Sequence, residues 1–101
     1  MVRLGVYPVI GEGRNGYIVD IQADFPSRLA TRIVAPLLPE DAVLKPIRDL
    51  DPVFELLGKR YVMVTQAIAS IPGCKLKRSV ASLNDRHDQI ARALDTLLLE
   101  F

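Results

Sequence analysis

At 101 residues, half of them hydrophobic, the chain has room for one domain around one core, so residues 1–101 are expected to form a single unit. A net charge of +1 excludes binding to nucleic acid or anionic membrane by bulk field, although it leaves room for a local basic patch. The lone cysteine, Cys74, can make neither an internal disulfide nor a zinc site, and neither a run of about 18 apolar residues nor a secretion signal is present. A soluble cytoplasmic protein without membrane association is the expectation.

Residues 2–7 read as a first strand: Val2, Leu4 and Val6 share one side, Gly5 interrupts the alternation, and Pro8 ends the ladder. The glycine-rich stretch that follows, with its Asn15-Gly16 pair, predicts a hairpin loop. A phosphate cradle is disfavoured, since neither a Gly-Lys-Ser/Thr motif nor a helix comes next. Residues 17–22 are the clearest strand, with Tyr17, Val19 and Ile21 on one face, Ile18, Asp20 and Gln22 on the other, and Asp20 half-exposed. Phe25 falls in the break after it, either tucked over the core, as burial preference favours, or presented outward. Residues 32–38 resume strand character. Pro36 cannot donate to a ladder and so marks an edge, a bulge or the strand's end.

Pro36, Pro39, Pro46 and Pro52 punctuate a loop-rich middle, with short extended pairing expected around residues 43–47. Residues 53–57 and 60–64 then read as a hairpin turning at Gly58-Lys59, and residues 66–71 as a further strand closed by Pro72-Gly73. Lys75, Lys77 and Arg78 make a small basic cluster before the final element.

That element lies within residues 79–101. Leu83, His87, Ile90, Leu94, Leu97 and Phe101 recur at alternating spacings of four and three, which is one stripe of an amphipathic helix at about 100° per residue. Asn84 suits its N-cap, with Ser82 the competing choice, and Asp85 and Asp88 suit the positive end of the macrodipole. Leu99 lies nine residues from Ile90 and so about 180° away, on the polar face beside Asp88, Arg92 and Asp95. An apolar side chain is there offered to solvent or to a partner, a pattern that a merely sticky terminus or a dimer seam would share. Glu100 and the terminal carboxylate sit at the helix's negative pole, which leaves the end either frayed or awaiting a positively charged surface. Strands first and one helix last favour a β-rich α+β fold, a curled antiparallel sheet with one long C-terminal helix, which also suits a twofold dimer.

Catalytic constellations are sparse. His87 is flanked by Asp85 and Asp88, but its place on the apolar stripe reads as a partly buried, hydrogen-bonded histidine rather than a general base. No Cys, His or carboxylate cluster has metal spacing, so neither metal nor cofactor is expected, and Ser70 and Ser79 lack a base or an elbow motif. Arg28, Thr31 and Arg32 could stabilise a pentacovalent phosphate during RNA cleavage, although arginines near strand ends are usually solvated.

Three pieces carry a resemblance. They are Val19-Asp20-Ile21-Gln22-Ala23-Asp24 followed by Val34-Ala35-Pro36-Leu37; Thr65 through Ala69-Ser70-Ile71-Pro72; and Val80-Ala81-Ser82-Leu83 leading into the terminal helix. In this order and spacing the chain resembles the CcdB toxins of bacterial type II toxin–antitoxin modules. The resemblance implies an SH3-like barrel domain that forms a homodimer and is not an enzyme. It further implies that the toxin poisons DNA gyrase by wedging into the A subunit and is neutralised by a cognate antitoxin. The antitoxin brings it to operator DNA, so any DNA contact is indirect, and such modules serve plasmid maintenance. Carried onto this chain, the target-binding residues are Asp95, Leu98, Leu99, Glu100 and Phe101, with Phe25 from the strand-end loop.

The tail departs from the family pattern. Where Trp-Gly-Ile is typical, this chain has Leu99-Glu100-Phe101, and it has no tryptophan at all. A cation–π contact worth about 1–2 kcal/mol is thereby lost. Asp95 stands where the family usually has a neutral amide. The alternatives implied are an endoribonuclease toxin of the same broad architecture, or a CcdB homologue that no longer poisons gyrase.

Overall fold

Val19 shows how the alternating pattern becomes a core. In the computed structural model, which describes residues 4–9, 16–22, 31–43, 45–76 and 78–100, Val19 pairs with Val6 on one side and Ala35 on the other. All three side chains are fully buried. They belong to antiparallel strands β1 (Gly5–Pro8), β2 (Tyr17–Asp20) and β3 (Thr31–Pro39), followed in the chain by β4 (Val53–Leu56), β5 (Lys59–Met63), β6 (Ala69–Pro72), β7 (Ala81–Ser82) and the helix α1 (His87–Asp95). The sheet runs β4-β5-β3-β2-β1-β7, with β6 also on β3, and curls into a nearly closed barrel that carries one C-terminal helix. The β-rich α+β expectation holds.

Period-two alternation sorts the side chains into two layers. Val6, Val19, Ala35, Leu37, Phe54, Tyr61 and Met63 face the main core, which Leu83, Ile90 and Ala93 cover from the helical end. On the opposite face Tyr7, Val34 and Leu76 form a second cluster, with Ile18 and Ile71 against it. The face assignment of Ile18 and Val19 read from the alternation is therefore correct.

Several boundaries and one burial state differ from expectation. The first strand begins at Gly5, because Leu4 takes a left-handed backbone (φ +48°) and is buried. Residues 2 and 3, and most of the glycine-rich loop, lie outside the described residues. Pro36 sits well inside β3. There β6 pairs with Thr31 to Val34 and β5 with Leu37 to Pro39, so Pro36 falls at the seam where the missing N–H has no ladder to serve. Its carbonyl accepts from Val64 N at 2.9 Å. Residues 43–47 form no strand among those described; the preceding residues make a single 3-10 turn, Glu40–Ala42.

The hairpin turns at Leu57-Gly58, one residue earlier than predicted, with Leu56 opposite Lys59. Both turn residues are left-handed (φ +53° and +81°), as a two-residue type I′ turn demands. Glycine meets that demand freely, whereas Leu57 is strained and 62 % exposed. Leu57→Asn is expected to stabilise the fold by about 1 kcal/mol, read as a raised urea midpoint with an unchanged slope.

Asp20, expected half-exposed, is 1 % exposed. Its Oδ2 accepts from Arg32 Nε at 2.9 Å and its Oδ1 from Gln22 N at 3.1 Å. Arg32 Nη2 donates to Gln22 O at 3.0 Å, and Gln22 Oε1 accepts from Ile33 N at 3.1 Å. A charged pair removed from water needs these additional bonds, and the adjacent strand ends supply them.

Tyr17 and Tyr61 meet edge to face across the main core, with ring centroids 5.3 Å apart. Burial pushes the Tyr61 phenol above its ordinary value of 10.0, and the charge and hydrogen bond of Tyr17 push the same way. The folded chain thus holds this proton to higher pH than the unfolded chain does. Stability is expected to fall as pH rises above about 10, with the tyrosinate absorbance lagging behind that of free tyrosine.

Candidate interaction surface

The terminal helix enters from the sheet. Leu83 N donates to Leu4 O at 2.9 Å and Val80 N to Val6 O at 2.8 Å, so β1 sets where the helical segment begins. Ser82, the competing choice for the cap, accepts from Asn84 N through its hydroxyl at 3.2 Å. Asn84 opens the 3-10 turn Asn84–Arg86 and does not cap the α-helix, which starts only at His87. His87 is correspondingly exposed, its Nδ1 3.7 Å from Asp88 Oδ1, and not the partly buried residue that the stripe implied. Leu83 and Ile90 remain buried on either side of it.

Within α1 the buried side is Ile90 and Ala93, with Leu94 half-buried. Arg92 points outward and pairs with Asp49 at 3.5 Å, a surface contact worth about 0–1 kcal/mol. Asp49 itself is left-handed (φ +66°) in a compact turn tied by Asp51, whose Oδ2 accepts from Ile47 N at 2.8 Å. Thr65 donates its hydroxyl to the carbonyl of the buried Leu50, which anchors that turn to the barrel.

Beyond Asp95 the α-helix gives way to a π-helical turn, Thr96–Glu100. Thr96 is buried, Leu97 is half-buried, and Leu98 and Leu99 are 69 % and 80 % exposed. These are the two most exposed large hydrophobic side chains among the described residues, and they come after the exposed Asp95, with Thr96 and Leu97 between. Two adjacent exposed leucines leave apolar area open to water. Of the predicted site residues, Asp95, Leu98 and Leu99 thus share this outer end of the helical segment, Glu100 closes the turn, and Phe25 and Phe101 lie outside the described residues.

The set considered for RNA cleavage does not assemble as an exposed site. Thr31 is exposed, but Arg32 is 2 % exposed and committed to Asp20, contrary to the expectation of a solvated strand-end arginine; Arg28 lies outside the described residues. A concave surface on the second face of the sheet, about 540 Å³, is lined by Ile18, Val34, Pro36, Ala69 and Ile71, with Lys75 supplying its one charged side chain among the described residues. It offers apolar contact rather than acid–base chemistry. Among the described residues no group of three potential metal ligands gathers, and no helix is long and apolar enough to cross a membrane.

The model of the CcdB protein family matches residues 3–99. The chain belongs to the CcdB family. Membership identifies it as the toxin of a toxin–antitoxin module, a class that works with an antitoxin partner and is not a family of catalysts. The CcdB match takes in both strands of the Asp20–Arg32 pair and the helix as far as Leu99. Sequence reasoning overlooked Thr96 in this CcdB-family chain. A lone hydroxyl-bearing residue between Asp95 and a run of leucines was the signal available.

Proposed function

We propose that this CcdB-family toxin acts by protein contact, without catalysis, and that its target is the A subunit of DNA gyrase. The observation that carries this reading is the exposed Leu98 and Leu99 beside Asp95 at the end of the helical segment, in a chain that matches the gyrase-poisoning family almost throughout. Asp95, Leu98, Leu99, Glu100 and Phe101 form the contact, with Phe25 adding to it. Residues 1–101 act as one toxin domain, as a cytoplasmic homodimer, and a cognate antitoxin both neutralises the toxin and carries it to operator DNA. A poison of this kind binds a short-lived state of its target more tightly than the others, since only differential affinity shifts an equilibrium.

The test is a DNA-cleavage assay with the purified protein, supercoiled plasmid, ATP and gyrase from the same organism. Linear DNA trapped after detergent and protease treatment supports gyrase poisoning. Intact plasmid overturns gyrase as the target and turns attention to another protein or to a homologue that no longer poisons.

A further inference from the structure

Alternation along β3 puts Val34, Pro36 and Leu38 on the second face of the sheet. Register brings Ala69 of β6 opposite Val34 and Ile18 of β2 opposite Pro36. Two adjoining hollows form over these residues, about 540 Å³ and about 500 Å³, and share Val9, Ile18 and Pro36 in their walls. The concave surface therefore continues along β3 from Val34 to Pro39, a length of about 16 Å for extended chain. Val34 is buried beneath it, whereas Ala69 and Leu38 are exposed.

Geometry and charge narrow what fits this trough. Both β2 and β3 already have partner strands on either side, so their ladder groups are taken and an occupant cannot join as another strand. It has to be held through side chains. The surface is concave, so the same surface of a second copy, brought up by a twofold axis, would enclose a void instead of packing. A protruding ridge is needed. The exposed Lys75 is the one charged side chain among the described residues that line the first hollow, and a carboxylate on the ridge would complement it. An extended segment of about five residues, with apolar side chains at alternate positions and an acidic residue at one end, matches the length, the shape and the charge.

We propose that the trough over β2, β3 and β6 is a docking site for such a segment of the antitoxin, and that Lys75 sets its direction by pairing with an Asp or Glu at that end. The assignment rests on the antitoxin partnership given under Proposed function and uses none of the residues of the helix end. Calorimetry with the purified antitoxin of the same module tests it on three single variants. Ala69→Glu, which puts bulk and charge into the trough from an exposed position, is expected to keep the thermal midpoint within a few degrees and to bind about a hundredfold more weakly. Lys75→Gln is expected to bind about tenfold more weakly at low salt and to lose most of that difference at high salt, where the pair is screened. Val80→Glu places the same charge on an exposed apolar residue outside the trough and should leave affinity unchanged. Undiminished affinity in Ala69→Glu overturns the docking site while leaving the antitoxin partnership intact, as does an equal loss in Val80→Glu. A Lys75→Gln deficit that does not shrink with salt overturns the role of Lys75. If the unsubstituted toxin does not bind the antitoxin, the partnership itself is refuted and the docking site with it.

Discussion

Replacing Asp20 by alanine is expected to cost about 3–5 kcal/mol, because it strands the Arg32 guanidinium in a site where water cannot reach it. Arginine cannot escape by losing its proton, so the charge stays. Arg32 is 2 % exposed, and its Nε lies 2.9 Å from the carboxylate that would be lost. For a chain of this size each kcal/mol moves the thermal midpoint by about 4–8 °C, so a fall of about 15 °C or more is expected. Urea unfolding followed by circular dichroism measures the loss. Asp20→Leu combined with Arg32→Met should recover much of it, since an apolar pair needs no desolvation of charge. A drop of under about 1 kcal/mol for Asp20→Ala would show that water relaxes the site, and that the pair contributes little to holding β2 against β3.

Removal of residues 99–101 is expected to abolish growth arrest and the trapping of linear DNA while the fold survives. The reason for survival is burial: Leu99 is 80 % exposed, whereas Ile90, Ala93 and Thr96, which attach the helical segment to the barrel, remain. The thermal midpoint should stay within a few degrees, and light scattering should give the same mass for the truncated as for the full chain. Leu99→Asp and Leu98→Asp sharpen the test, since each places a charge where apolar contact is proposed. Losses of about a hundredfold in affinity for the gyrase A subunit are expected, the scale of an interface hot spot. A truncated protein that still arrests growth would move the contact away from the helix end altogether.

Both experiments probe surfaces of different legibility. Alternation in residues 17–21 was enough to assign Val19 to the core and Ile18 to the opposite face, because a strand offers only two sides. The helical stripe likewise identified Leu83 and Ile90 as buried and Leu99 as projecting outward, all of which the structure bears out. The same periodicity misplaced His87, the exposed first residue of α1, since periodicity fixes an angle and not whether another element covers that end of the helix. The hairpin slipped by one residue because Leu57 is an unfavoured occupant of a left-handed turn, and propensity pointed past it to Gly58-Lys59.

Local pattern by itself determined the class of this protein: a β-rich chain ending in one amphipathic helix, with three short segments in an order that resembles CcdB toxins. It also determined that Leu99 would project from the helix's polar face, because spacing along a helix fixes angle. Only the tertiary structure decided where the charges went. Asp20 and Arg32 stand twelve residues apart, and whether each meets water or the other depends on the register of β2 against β3, which no local window contains. Register also placed Pro36 at the seam between β6 and β5, where a missing donor costs nothing. The last turn, too, departs from what spacing along an α-helix implies: Thr96–Glu100 is a π turn, and the buried Thr96 places its hydroxyl on the Arg92 carbonyl.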